Sequence, residues 1–194
     1  MTEPYDAPAS LPLRMQYLHW AQKFRVPLGF LAVLVFVLLM EPRVPLLIAG
    51  SGIGFCGLLF RFWAAGYLHK ARTLTTAGPY RFTRNPLYFG SFIMLIGLAV
   101  TSGSWISGLV FVLLFALIYI PTMLREEDEL RRGYQESYDR YAAAVPRFLP
   151  RHTRYPSSGQ TFRFGQAFKN REQSAFFGYL LVLLVISLKL FLRR

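Results

Sequence analysis

Two stretches of the chain put charged and aromatic side chains where chemistry could follow. The first is Gly78-Pro79-Tyr80-Arg81-Phe82-Thr83-Arg84-Asn85-Pro86-Leu87-Tyr88-Phe89-Gly90. Gly-Pro signals a turn. Asn85-Pro86 reads as an N-cap followed by proline at the first helical position. Arg81 and Arg84 therefore precede a helix whose unpaired N–H groups and positive dipole end face the same place, which suits an anion. A capped helix start with two positive-inside arginines has the same residues. The second stretch is Arg125-Glu126-Glu127-Asp128-Glu129-Leu130, continuing to Tyr134, Tyr138, Tyr141 and Val145. From Leu130 onward these residues recur at helical steps and predict one amphipathic helix face. Glu127 and Glu126 stand three and four residues before Leu130, so both are expected on the buried aromatic side, with Asp128 off that face. Buried acids are costly unless paired or bound to something. An ion pair with Arg81 or Arg84 would satisfy them, and so would a bound cation. Val145-Pro146-Arg147-Phe148-Leu149-Pro150 then ends the helix, because its two prolines cannot continue it. Arginines and helix N–H groups suit a carboxylate, acids suit an ammonium or ribose hydroxyls, and tyrosine faces suit a cationic centre or a flat base.

The elements that position these residues are apolar. Of the 194 residues 54% are hydrophobic and 16% charged, against about 25% charged in a typical soluble domain. That composition excludes a disordered tail and argues against a water-soluble globule. Five apolar stretches stand out: 26–40, 44–67, 87–101, 105–124 and 174–192. A span needs roughly 20 predominantly apolar residues. The second, fourth and fifth stretches meet that, and the first and third are short. The prediction is an all-α, polytopic membrane helix bundle of about five transmembrane helices with a cytoplasmic pocket. The acidic start of the chain, without a basic n-region, predicts that the first apolar helix is retained rather than cleaved.

The net charge of +12 follows this alternation. Arg14, Lys23 and Arg25 precede the first stretch, and Lys70, Arg72, Arg81 and Arg84 lie between the second and third. Ten more basic residues occupy 125–171. The turn between the third and fourth stretches has none. This pattern predicts an integral membrane protein with its N-terminus and both long basic segments cytoplasmic. It does not suggest nucleic acid. Lys189, Arg193 and Arg194 strain the pattern, unless they snorkel at the far interface or the last helix does not fully cross. Gly52-Ile53-Gly54-Phe55-Cys56-Gly57 matches G-x-G-x-x-G but lacks the strand and helix start a dinucleotide needs. Gly50 and Gly54 read instead as a small-xxx-small packing pair. Cys56 is the single cysteine, and His19, His69 and His152 are scattered, so no metal spacing and no Ser/His/Asp set is present.

Gly78-Pro79-Tyr80, Arg84-Asn85-Pro86, Tyr88, Gly90, Arg125-Glu126-Glu127, Leu130, Tyr138, Tyr141, Val145-Pro146 and Leu149-Pro150, together with Arg61-Phe62-Trp63-Ala64, resemble the isoprenylcysteine carboxyl methyltransferase and phospholipid methyltransferase superfamily. The resemblance covers roughly residues 50–151. It implies an integral-membrane methyltransferase that uses S-adenosyl-L-methionine and acts on a membrane lipid or lipidated acceptor, with the active site facing the cytoplasm. Carried over, Tyr80, Arg84, Asn85, Pro86, Tyr88, Glu127, Tyr141, Pro146 and Leu149 line the cofactor pocket. Glu127, Glu126 and Arg84 are the catalytic candidates, and Arg61 and Arg125 stand nearer the acceptor. Where the family usually has His, this chain has Asn85, which cannot titrate near neutral pH. Gln135 stands where glycine is usual. The expected division is a cytoplasmic segment 1–25, a methyltransferase core 26–150 and a basic segment with an extra apolar helix, 151–194. In that segment Phe162, Phe164 and Phe168 are placed to rest on the membrane surface. The expected reaction moves a methyl group in line from a sulfonium to a nucleophile on an amphiphile, with Glu126 or Glu127 as base if the acceptor must lose a proton. The rival readings are a phospholipid N-methyltransferase, an NADPH-dependent membrane lipid reductase and a non-catalytic membrane scaffold.

Overall fold

The computed structural model describes residues 35, 36, 38–68 and 74–192. Most of the first apolar stretch, the N-terminal segment, His19, His69, Lys70, Arg72, Arg193 and Arg194 lie outside the described residues. Among the described residues the secondary structure is entirely helical. The elements are α1 (Val44–Tyr67), a 3-10 turn (Gly78–Arg81), α2 (Pro86–Ser102), α3 (Trp105–Tyr134), α4 (Glu136–Ala144), α5 (Phe164–Lys169) and α6 (Glu172–Leu192). Three of them, α1, α3 and α6, are long and apolar enough to cross a membrane, and α2 is a shorter apolar helix of 17 residues. These are the three stretches whose length met the requirement in the sequence.

Helices α1 and α2 pack backbone to backbone because both carry glycine at the contact. A Cβ on Gly97 would lie 2.6 Å from the Gly50 carbonyl oxygen, and one on Gly57 would lie 2.6 Å from that of Gly90. The small-xxx-small reading is therefore the observed one, and the G-x-G-x-x-G match lies inside α1. Gly97→Ala is expected to push the two helices apart and to cost about 1–3 kcal/mol, read as a lowered melting temperature in detergent.

Helix α6 runs antiparallel to α1 along its length. Glu172 meets Arg61 near one end, the Tyr179 hydroxyl donates to the Ser51 carbonyl at 2.7 Å, and Ile186 packs with Phe36, Met40 and Phe111 at the other. The end that carries Glu172 is also where the irregular segments gather. The Arg84 N–H donates to the Pro146 carbonyl and that of Arg151 to the Phe82 carbonyl, both at 2.9 Å. The Thr153 hydroxyl donates to the Arg81 carbonyl at 2.6 Å. Residues 151–158, largely beyond the region of resemblance, thus lace onto the loop before α2. Phe162 packs against Phe62 and Tyr67, whereas Phe164 and Phe168 are exposed.

The expected continuous helix from Arg125 to Val145 breaks at Gln135, which has φ +46° and ψ −124°. The aromatic face survives the break: Tyr138, Tyr141 and Val145 form a buried cluster with Leu130 and Tyr134 against it. The backbone there lies in a region that glycine tolerates and other residues enter at a cost of about 1–3 kcal/mol. This accounts for the glycine usual at that position. Gln135→Gly is expected to raise stability by about 1 kcal/mol, since relieved strain outweighs the added chain entropy. Thermal unfolding of the purified protein checks it.

Candidate active site

A cavity of about 450 Å3 opens where the loop before α2 meets the end of α3. Tyr80, Arg84, Asn85, Pro86, Leu87 and Tyr88 line one side, Glu126, Glu129, Leu130 and Tyr134 line the other, and Leu68 of the α1 end closes it. Of the residues expected around a cofactor, Tyr80, Arg84, Asn85, Pro86 and Tyr88 line this cavity, and Glu126 joins them. Arg81 is not among the lining side chains.

Glu127 lies behind this wall, 4% exposed. Arg147 grips it through two bonds, Nε to Oε1 at 2.9 Å and Nη2 to Oε2 at 3.0 Å. Arg84 Nη1 stands 3.3 Å from Oε2. Asn85 Nδ2 donates to Oε1 at 3.4 Å and to the Arg147 carbonyl at 3.0 Å. The expected meeting of Arg84 and Glu127 is present, and it takes the form of the ion pair that the sequence left open. A carboxylate between two guanidinium groups satisfies a charge that burial alone would penalise. The hydrogen bond to Glu127 raises the Arg147 pKa further above its ordinary value.

Two local expectations are corrected. Glu126 is exposed rather than buried, because it opens into the cavity, where the Tyr88 hydroxyl donates to its Oε1 at 2.6 Å. Asn85 occupies the N-cap position with Pro86 at the helix start, but its side chain makes no cap hydrogen bond and reaches Glu127 and the prolyl turn instead.

The remaining sequence candidates lie outside the cavity lining. The Tyr141 hydroxyl donates to the Tyr80 carbonyl at 2.7 Å. Burial pushes the phenols of Tyr80, Tyr138 and Tyr141 above their ordinary range, so they remain neutral, and the Tyr138 hydroxyl accepts from Arg84 Nη1 at 3.3 Å. Pro146 offers its carbonyl to Arg84, and Leu149 is exposed away from the cavity. Arg125 pairs with Glu129 at 2.8 Å on the surface. Arg61 is held by Glu172 through Nε at 3.0 Å and Nη2 at 2.8 Å.

Sequence reasoning missed Thr83, Glu129, Arg147 and Glu172. The buried Thr83 hydroxyl donates to the Phe148 carbonyl at 2.9 Å and so ties the loop to the prolyl turn. Two signals were available. A buried acid invites every nearby cation, and Arg147 stands in the turn that closes the same helix. Arg61 is the one charge within α1, and Glu172 is the only acid after Asp139.

Apolar helices that carry a charged, aromatic cavity at one end fit the integral-membrane methyltransferase superfamily, and the comparisons support that class. Residues 46–137 match the model of the phospholipid methyltransferase family. Among curated relatives, the chain is similar to the protein-S-isoprenylcysteine O-methyltransferase of Schizosaccharomyces pombe, 31% identical over 94 residues, 48% of this chain and 40% of that protein. It is also similar to the nickel-cobalt-cadmium resistance protein NccN of Alcaligenes xylosoxydans xylosoxydans, 38% identical over 47% of this chain and 43% of that one. The cobalt-zinc-cadmium resistance protein CzcN of Cupriavidus metallidurans is 36% identical over 49% and 44%. The matched segment spans less than half the length of these relatives. No solved structure matches.

Proposed function

We propose that the chain is an S-adenosyl-L-methionine-dependent methyltransferase of the isoprenylcysteine carboxyl methyltransferase-like kind, acting on a lipidic acceptor from a pocket that faces the cytoplasm. One observation carries this reading: two stretches some 40 residues apart in the chain converge on a single cavity, basic on one wall and acidic on the other. The lining suits the cofactor. Arg84 is 11% exposed, and its Nε is buried without a hydrogen-bond partner, so a guanidinium at the wall has capacity for a carboxylate. Glu126 and Glu129 suit an ammonium or ribose hydroxyls, and Tyr80, Tyr88 and Tyr134 offer faces to a base or a cationic sulfur.

When bound, S-adenosyl-L-methionine supplies an electrophilic methyl group. The protein binds, orients and keeps water away. Arg84 anchors, its Nη1 held by Glu127 and by the Tyr138 hydroxyl, while Arg147 fixes Glu127. Glu126 faces the cavity and is the carboxylate available to take a proton, should the acceptor carry one. Glu127, already gripped by two arginines, suits positioning rather than proton transfer. The catalytic core falls within 26–150, and the described residues of the C-terminal segment, 151–192, brace it. For the acceptor, an apolar groove of about 480 Å3 lies between α1 and α6, lined by Phe55, Leu58, Leu59, Phe62, Phe168, Glu172, Gln173, Phe176 and Phe177. It adjoins the Arg61–Glu172 pair and provides a route for a hydrocarbon chain.

The test is incubation of the purified chain in lipid nanodiscs with methyl-labelled S-adenosyl-L-methionine, followed by fractionation of the lipids. The expected result is label in one lipid class, strongly reduced with Arg84→Met. Tight NADPH binding without any label would favour a lipid reductase instead.

A further inference from the structure

Arg61 joins two helices that the family match treats very differently. On one side Nε and Nη2 hold the carboxylate of Glu172, the first residue of α6, which is 5% exposed and lies well beyond the matched residues 46–137. On the other side Nη1 donates to the Leu87 carbonyl at 3.2 Å and to the Ser91 hydroxyl, both in α2. Leu87 lines the cavity between Pro86 and Tyr88. The arrangement has no slack, because a Cβ on Gly90 would lie 2.6 Å from Arg61 Cγ.

The chain is also bent to deliver Glu172 to this spot. Arg171 has φ +61°, in the left-handed region that side chains enter at a cost. Asn170 Nδ2 donates to the Ala65 and Leu68 carbonyls at 2.8 Å each, which fixes the α5–α6 junction on the end of α1. Leu68 lines the same cavity.

We infer that Glu172 is a positioning residue of the pocket: through Arg61 it fixes the first turn of α2, and the C-terminal helix is thereby part of the binding machinery. The physical reason is that a guanidinium half-buried among apolar helices needs a counter-charge. Without Glu172, Arg61 turns toward water and releases the Leu87 carbonyl, so the turn carrying Asn85, Pro86 and Tyr88 loosens. This inference rests on the methyltransferase reading for its binding readout only.

The experiment uses the full chain in nanodiscs, with S-adenosylhomocysteine as the probe and hydrogen exchange as a second readout. Glu172→Gln is expected to weaken probe binding about tenfold, the scale of one hydrogen bond to a charged group, and to speed exchange of amides in the first two turns of α2. The charge-swapped pair Arg61→Glu with Glu172→Arg restores an α1–α6 ion pair but removes the guanidinium that joins the Leu87 carbonyl and the Ser91 hydroxyl to α1, so neither readout recovers. If Glu172→Gln does not purify folded, Glu172→Asp, which keeps the charge but shortens the reach, carries the same two readouts. Wild-type affinity and unchanged exchange in the Glu172 variant, or full recovery in the swapped pair, would overturn the inference. Absence of probe binding by the unaltered protein would instead sink the methyltransferase reading, and the exchange measurement would still judge Glu172.

Discussion

Glu127→Leu is expected to lower the stability of the protein by about 3–5 kcal/mol, the usual cost of removing one partner from a buried charge cluster. The reason lies in what remains. Arg84 and Arg147 would be left facing each other beside the prolyl turn, with Asn85 Nδ2 deprived of one of its two acceptors. The loop before α2 and the 145–150 turn should separate, and the cavity should lose its basic wall. Thermal unfolding in detergent gives the stability change. Glu127→Gln keeps the shape and removes the charge, and it should fall between the two.

Arg84→Met separates binding from folding. Glu127 keeps the two-bond grip of Arg147 and the Asn85 amide, so stability should fall less than in Glu127→Leu. Binding of S-adenosyl-L-methionine should fall by about 2–5 kcal/mol, or roughly thirtyfold to several thousandfold, because the anchor for its carboxylate is gone. Calorimetric titration of the variant beside the unaltered protein measures this. Equal affinity in the two would show that Arg84 serves only to neutralise Glu127.

Much of this architecture is legible in the sequence, for identifiable reasons. The stretches 44–67, 105–124 and 174–192 are long and apolar apart from Arg61 and Lys189, and such runs have few alternatives to a spanning helix. The Arg84–Glu127 meeting was legible because a buried acid needs a cation and the loop supplies one. What stayed hidden depended on backbone detail or distance. The break at Gln135 is invisible to periodicity, since Tyr138 and Tyr141 return to the same face after it. The choice between a capping and a cross-linking Asn85 turns on where Glu127 lies, 42 residues away. Glu126 was misplaced because a helical wheel cannot distinguish a core face from a face that borders a cavity. Arg147 competed successfully with Arg81 for Glu127 because the prolyl turn folds back across the end of α3.

The most direct test of the central claim is a titration of the purified chain in nanodiscs with S-adenosyl-L-methionine, in competition with S-adenosylhomocysteine. The account predicts saturable one-to-one binding, displaced by the homocysteine analogue and strongly weakened in Arg84→Met. Binding that is absent, or that persists unchanged when Arg84 is replaced, would contradict it.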